Sequence, residues 1–167
     1  MEGGDVNAVQ SLVQTVAGTR PGARLARAAR IDLQDRLVHR VTGGRVTVTG
    51  VLAGIPTILV TTTGRRGGRP HTVPLVRVTD PAQPGTIAVV ASSYGRDRDP
   101  EWALDLRARP HAVVTDRGRS RRHAAREVTG DEYERWFQRA AAVCRVYPRY
   151  RRRARRRIPI FTLTPVD

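Results

Sequence analysis

Apolar positions recur every four residues near the start of the chain and every two from about residue 45 onward, which predicts a helix followed by strands. From Pro21, Leu25, Ala29, Leu33, Leu37 and Val41 form one stripe, flanked by Arg24, Arg27, Arg30, Arg36 and Arg40 and ended by Gly43-Gly44. Residues 1–20 are expected to be poorly ordered, apart from a short helical stretch in Val6 to Val16. Residues 21–167 are expected to form one domain that includes this amphipathic N-terminal helix. β-Branched runs at Thr57 to Thr63, His71 to Thr79, Thr86 to Ser92, His111 to Asp116, Arg121 to Val128 and Ile158 to Thr164 predict five or six strands. Their connectors are mostly too short for helical crossovers, so the sheet should be antiparallel and able to close into a barrel.

Two helices interrupt the strands. Asp99-Pro100-Glu101 supplies an N-cap, a proline at the first helical position and an early acid for a short helix through Trp102, Leu104 and Leu106, ending before Pro110. Thr129 and Glu132 have capping-box spacing ahead of a longer helix with Tyr133, Trp136, Phe137, Ala140, Ala141 and Cys144 on one face. After Pro148, helical spacing sets Tyr147, Tyr150, Ala154 and Ile158 on one side and arginines on the others. That tyrosine pair reads first as core packing with hydroxyls at the rim, with a place in a site as the alternative.

Composition narrows the function. At 167 residues with 40% apolar and 27% charged positions, the chain suits one globular core. Its longest apolar run, Val51 to Val60, is about half the ~20 residues a membrane span needs, and the acidic start lacks a signal-peptide pattern. The cytoplasm is the expected location, with peripheral membrane contact through the N-terminal helix left open. One cysteine and four scattered histidines argue against disulfides and a structural metal. The net charge is +15, all 30 basic residues are arginine, and seven lie between Arg149 and Arg157. Such an excess favours a polyanionic partner: nucleic acid, an anionic membrane, or a phosphorylated or carboxylated small molecule.

One motif gives that excess a place. Thr61-Thr62-Thr63-Gly64-Arg65-Arg66-Gly67-Gly68-Arg69-Pro70-His71 reads as two strands joined by a glycine-rich basic turn, where backbone N–H groups and guanidiniums can meet an anion. It lacks the Lys-Ser/Thr and helix of a Walker A loop. No nucleophile elbow, zinc-protease motif or paired carboxylates stand elsewhere, which points to a bound cofactor as the reactive group.

Five segments, Thr62 to Leu75, Val89 to Ser93, Asp99 to Pro110, Val146 to Tyr150 and Arg157 to Phe161, resemble the deazaflavin-dependent nitroreductase family in order and spacing, over about residues 33 to 164. The resemblance implies an α+β, mainly β, antiparallel split β-barrel with flanking helices, like the flavin-binding pyridoxamine oxidases. It implies reduced coenzyme F-420 as cofactor, with FMN less favoured, and a quinone, nitro compound or similar electron-poor acceptor. It sets Arg65, Arg66 and Gly67 at the phosphate and oligoglutamate end of the coenzyme. His71, Thr72, Val73, Pro74 and Leu75, with Ala91, Ser92 and Ser93, would line the ring and ribityl region, and Trp102 would support the phosphate side. Tyr147 and Tyr150 would close over ring and substrate, and Ser92, Tyr147 and Tyr150 are the implied catalytic hydroxyls.

The chain departs from the family pattern at four positions. Gly67 stands for the usual Ser or Thr, His71 for Arg, Asp105 for Asn, and Arg153 for a tyrosine of nitroimidazole-reducing members. Asp105 is expected either at the surface or where it would repel an anionic tail. The alternatives to a reductase are a protein that sequesters the coenzyme and a basic nucleic-acid-binding domain.

Overall fold

The computed structural model describes residues 55–166. The helix predicted from Pro21, the N-terminal 1–20 segment and the strand pattern before residue 55 lie outside the described residues. The elements are β1 (Thr57–Thr63), β2 (Pro70–Val76), β3 (Val78–Thr79), β4 (Ile87–Val90), a 3₁₀ turn (Ser93–Gly95), α1 (Glu101–Ala108), β5 (His111–Asp116), β6 (Arg119–Glu127), α2 (Gly130–Val143), α3 (Tyr147–Arg153) and β7 (Ile160–Pro165).

The strands form one antiparallel sheet in the order β2-β1-β5-β6-β7-β4-β3. Its two edge strands are consecutive in sequence and separated by Arg77 alone, so the sheet must curl until its edges meet. The expected single strand from His71 to Thr79 therefore divides at a corner. Val76 still pairs with Thr57, the Arg77 N–H donates to the Pro56 carbonyl at 2.8 Å, and Val78 pairs with Ala88 of β4.

Period-two alternation along β4 and β7 sends their side chains into separate cores on the two faces of the sheet. Val89, Phe161 and Leu163 join Ile58, Val60, Val114, Trp102 and Leu106, beneath α1. Ala88, Val90 and Ile160 join Trp136, Phe137, Tyr147 and Tyr150, beneath α2 and α3. The α2 face is buried as its spacing predicts, except that Ala141 is half-buried, and Cys144 is core.

Three end signals act differently from the sequence reading. Pro100, with extended dihedrals, occupies the cap of α1, and no side chain caps the helix. Asp99 instead accepts a charge-assisted bond from Arg107 Nη1 through Oδ2 and forms an ion pair with Arg156 through Oδ1. Thr129 likewise makes no side-chain cap bond to α2, and Glu132 takes both terminal nitrogens of Arg126 at 2.8 Å rather than reaching back. α3 stops at Arg153 where Ala154 turns extended, so Ile158, although fully buried, lies beyond the helix.

Candidate functional site

Strand directions decide what can meet. β1, β6 and β4 run one way and β5 and β7 the other, so the β1–β2 turn, the whole of residues 91–110 and the chain between β6 and β7 all emerge at one end of the barrel. The arginine hairpin, Ala91 to Ser93, α1 and the tyrosine helix thus share an end, although they are far apart in sequence.

The hairpin is shaped from below by Asp105. This α1 carboxylate is buried, accepts the Arg65 backbone N–H at 2.9 Å through Oδ1, and accepts the Thr62 hydroxyl at 3.1 Å through Oδ2. It is not at the surface: it ties the turn to α1. Arg65 bends back to bond Glu101, and its guanidinium lies 3.7 Å from Asp105. The Glu101 carboxyl is accordingly held below its ordinary value, chiefly by that bond. His71 Nδ1 is 3.7 Å from the other Asp105 oxygen.

The turn closes through Gly64 N–H to the Arg69 carbonyl and Gly68 N–H to the Gly64 carbonyl, both 2.8 Å, while Arg109 Nη1 donates to the Gly64 carbonyl at 2.7 Å. A Cβ on Gly64 would sit 2.9 Å from the Arg69 carbonyl oxygen, so this position must be glycine. At Gly67 a Cβ would meet nothing within 4 Å, so the position is open. Arg66 and Arg69 are exposed, with no ion-pair partner among the described residues.

β2 follows as an edge strand, half-buried at every residue from His71 to Val76. Val73 and Leu75 pack on the barrel core, and the Thr72 hydroxyl pairs with that of Thr61 at 2.8 Å. Ala91 is buried, whereas Ser92 and Ser93 are half-buried. Ser93, Tyr94 and Gly95 then adopt φ of 47°, 58° and 75° in succession, a left-handed backbone that is costly for the first two. Gly95 permits it: a Cβ there would lie 3.2 Å from the Cα and carbonyl oxygen of Tyr150.

Tyr150 and Tyr147 are buried on α3 with ring centroids 6.4 Å apart, edge to face. Burial pushes the Tyr150 phenol up to about 12 and the Tyr147 phenol well above its ordinary value. Tyr94, partly exposed, stands edge-on to Tyr150 at 6.3 Å, and the Arg153 guanidinium lies 5.8 Å over the Tyr150 ring. Trp102 is turned into the barrel core, 5.9 Å from Phe161, so its support of this end is from beneath.

Sequence reasoning missed Tyr94, Arg109 and Arg156, and left Asp105 unassigned. Only Gly95, after a strand and two serines, hinted at the strained turn. Cavities of about 530 Å³, beside Arg117, Arg119 and His123 at the far end, and about 570 Å³, between Tyr133, Arg151 and Arg157, include none of the predicted site residues.

Among the described residues no helix is long and apolar enough to cross a membrane. A solved structure of an F-420-H2-dependent reductase (FDR-A) is 35% identical, with a TM-score of 0.59 over 65% of this chain and 93% of that one. A second, of a domain-swapped dimer, is 31% identical, with a TM-score of 0.61 over 77% of this chain and 94% of that one. The fold is the split β-barrel. The family profile described as F-420H(2)-dependent quinone reductase matches residues 32–165. With that profile across most of its length, and relatives this similar in sequence and fold, the chain belongs to the F-420H(2)-dependent quinone reductase family.

Proposed function

We propose that the hairpin end of the barrel holds reduced coenzyme F-420 and presents it to a quinone, with Arg66 and Arg69 on the anionic tail and Tyr150 beside the acceptor. The observation that carries this assignment is the exposed arginine turn, pinned by buried Asp105 at the same barrel end as Tyr147 and Tyr150.

The donor set suits a polyanion. Arg66 and Arg69 are exposed on a turn that already has its shape, so little ordering is needed on binding. Arg65, engaged with Glu101 and Asp105, acts on the tail mainly through its charge. Open space at Gly67 admits close approach of a phosphate or carboxylate to the backbone. Farther in, the half-buried strip from His71 to Leu75 and the Ala91-Ser92-Ser93 segment offer a mixed apolar and hydroxyl surface for a flat ring.

When bound, the reduced coenzyme supplies a hydride to the acceptor. The chain's own residues hold the two together, exclude water and stabilise negative charge on the acceptor oxygen. Tyr150 suits the last of these roles, because its protonated phenol is a hydrogen-bond donor at the hairpin end of the barrel. Ser92, at the head of the strained turn, is a second donor, and Tyr147, wholly enclosed, supports Tyr150 by ring packing. A cation over Tyr150, where nitroimidazole-reducing members carry another tyrosine, favours acceptors that gain negative charge, of which a quinone is one.

The test is stopped-flow oxidation of reduced coenzyme by menadione. Catalysed loss of coenzyme reduction supports the reductase assignment. Tight binding without turnover of any quinone or nitroarene would favour sequestration instead.

A further inference from the structure

Arg156 sits in a run that reads as solvated charge, yet its side chain is only 16% exposed and all three guanidinium nitrogens are engaged. Nε donates to the Arg96 carbonyl at 3.0 Å, Nη2 to the Ala91 carbonyl at 2.9 Å, and Nη1 lies 2.6 Å from Asp99 Oδ1. Nη1 also donates to the Arg157 carbonyl at 3.1 Å. The two carbonyls at 91 and 96 bracket Ser92, Ser93, Tyr94 and Gly95. Within that bracket the turn has two bonds of its own, Gly95 N–H to the Ser92 carbonyl and Arg96 N–H to the Ser93 carbonyl, at 2.8 and 3.2 Å.

We propose that Arg156 is a positioning residue that clamps the Ser92–Gly95 turn in its left-handed form and so sets Tyr94 against Tyr150 at the reacting end of the site. Two non-glycine residues at positive φ persist only where their surroundings over-determine them. On one side Gly95 abuts the Tyr150 backbone, and on the other one planar guanidinium spans both ends of the turn. Arginine is required for this geometry. A lysine ammonium keeps the charge for Asp99 but has no rigid fork to reach two carbonyls together.

The inference rests on the proposed site for its consequence in catalysis, so the experiment reads the turn without coenzyme first. In the coenzyme-free full chain, Arg156→Lys should speed hydrogen exchange at the Gly95 and Arg96 amides about tenfold or more, as local opening becomes easier. Asp99→Asn, which leaves both carbonyl bonds in place, should stay within about threefold of wild type there, even where it lowers the thermal midpoint more. Coenzyme titration then follows, with Arg156→Lys expected to raise Kd about fivefold or more and Asp99→Asn about twofold at most. Unchanged exchange in Arg156→Lys, or equal acceleration in Asp99→Asn, would overturn the clamp. Faster exchange with an unchanged Kd would overturn its link to the site, and failure of wild type to bind coenzyme would count against the site assignment while the exchange result still decides the clamp.

Discussion

The Asp105 carboxylate accepts the backbone N–H of Arg65 at 2.9 Å, from beneath a turn whose outer side is arginine. A buried negative group thus shapes a surface that recruits anions, and the two roles respond oppositely to substitution. Asp105→Ala leaves the Arg65 N–H unpaired and the Thr62 hydroxyl with only its 3.4 Å bond to the His71 carbonyl, a loss of about 1–3 kcal/mol that urea unfolding should show. Asp105→Asn keeps an acceptor for Arg65 and can donate to Thr62, so stability should stay within about 1 kcal/mol of wild type. It also removes negative charge 3.7 Å from both Arg65 and His71, so coenzyme affinity should rise at low salt. Weaker binding by a stable Asp105→Asn protein would count against the hairpin as the tail site.

Arg66 is the cleaner probe of the tail. It is exposed, and the turn closes through backbone bonds that do not involve its side chain. Arg66→Ala should weaken coenzyme binding by about 1.5–3 kcal/mol with unchanged stability, a loss that shrinks as salt rises. An unchanged Kd at low salt would make the turn a merely solvated hairpin.

How far the sequence carried depends on whether a feature is periodic or pairwise. β1 and β5 have the bounds that their β-branched runs predict, and the apolar face of α2 follows its spacing, because burial recurs with the geometry of the element. The division at Arg77 was not legible, since it is set by closure of the whole sheet. Asp105 lies forty residues from Arg65, and Arg156 sixty from Arg96, so neither showed a local sign of its bonds. Arg156 was further hidden among six other arginines. Asp99 and Glu132 have the spacing of helix caps, but nearby guanidiniums claim both carboxylates.

Tyr150→Phe should preserve ring packing on Tyr94 and Tyr147 and remove only a hydroxyl. A loss of about 10- to 10³-fold in kcat with little change in coenzyme Kd is the expected outcome, bounded by the loss of an oxyanion donor. Full activity would transfer the donor role to Ser92 or Tyr147.

Alkaline stability tests the burial of the same region. Burial pushes the Cys144 thiol from 9.0 up to about 11 and the Tyr150 phenol from 10.0 up to about 12, and holds the Tyr147 phenol well above its ordinary value. The unfolded chain releases these protons at the ordinary values while the folded chain retains them. Their stabilisation is therefore complete below about pH 9 and falls as pH rises, by up to about 1.4 kcal/mol per pH unit for each group. The chain has no lysine to obscure the effect. Thermal midpoints should drop steeply above about pH 9.5, less so in Tyr150→Phe, and a flat profile to about pH 11 would show that these groups are not enclosed.

Nucleic acid is the control for charge alone. Scattered arginines should give weak, sequence-independent DNA binding that collapses between low and physiological salt. Sequence-selective nanomolar binding at physiological salt would favour a DNA-binding role.

The most direct measurement is a fluorescence titration of the purified protein with coenzyme F-420 and, separately, with FMN, at low and physiological salt. Binding of coenzyme F-420 at least about tenfold tighter than FMN, with the gap narrowing as salt rises and in Arg66→Ala, is the predicted result. FMN binding as tight or tighter would assign the barrel to flavin chemistry, and binding of neither would contradict the site altogether.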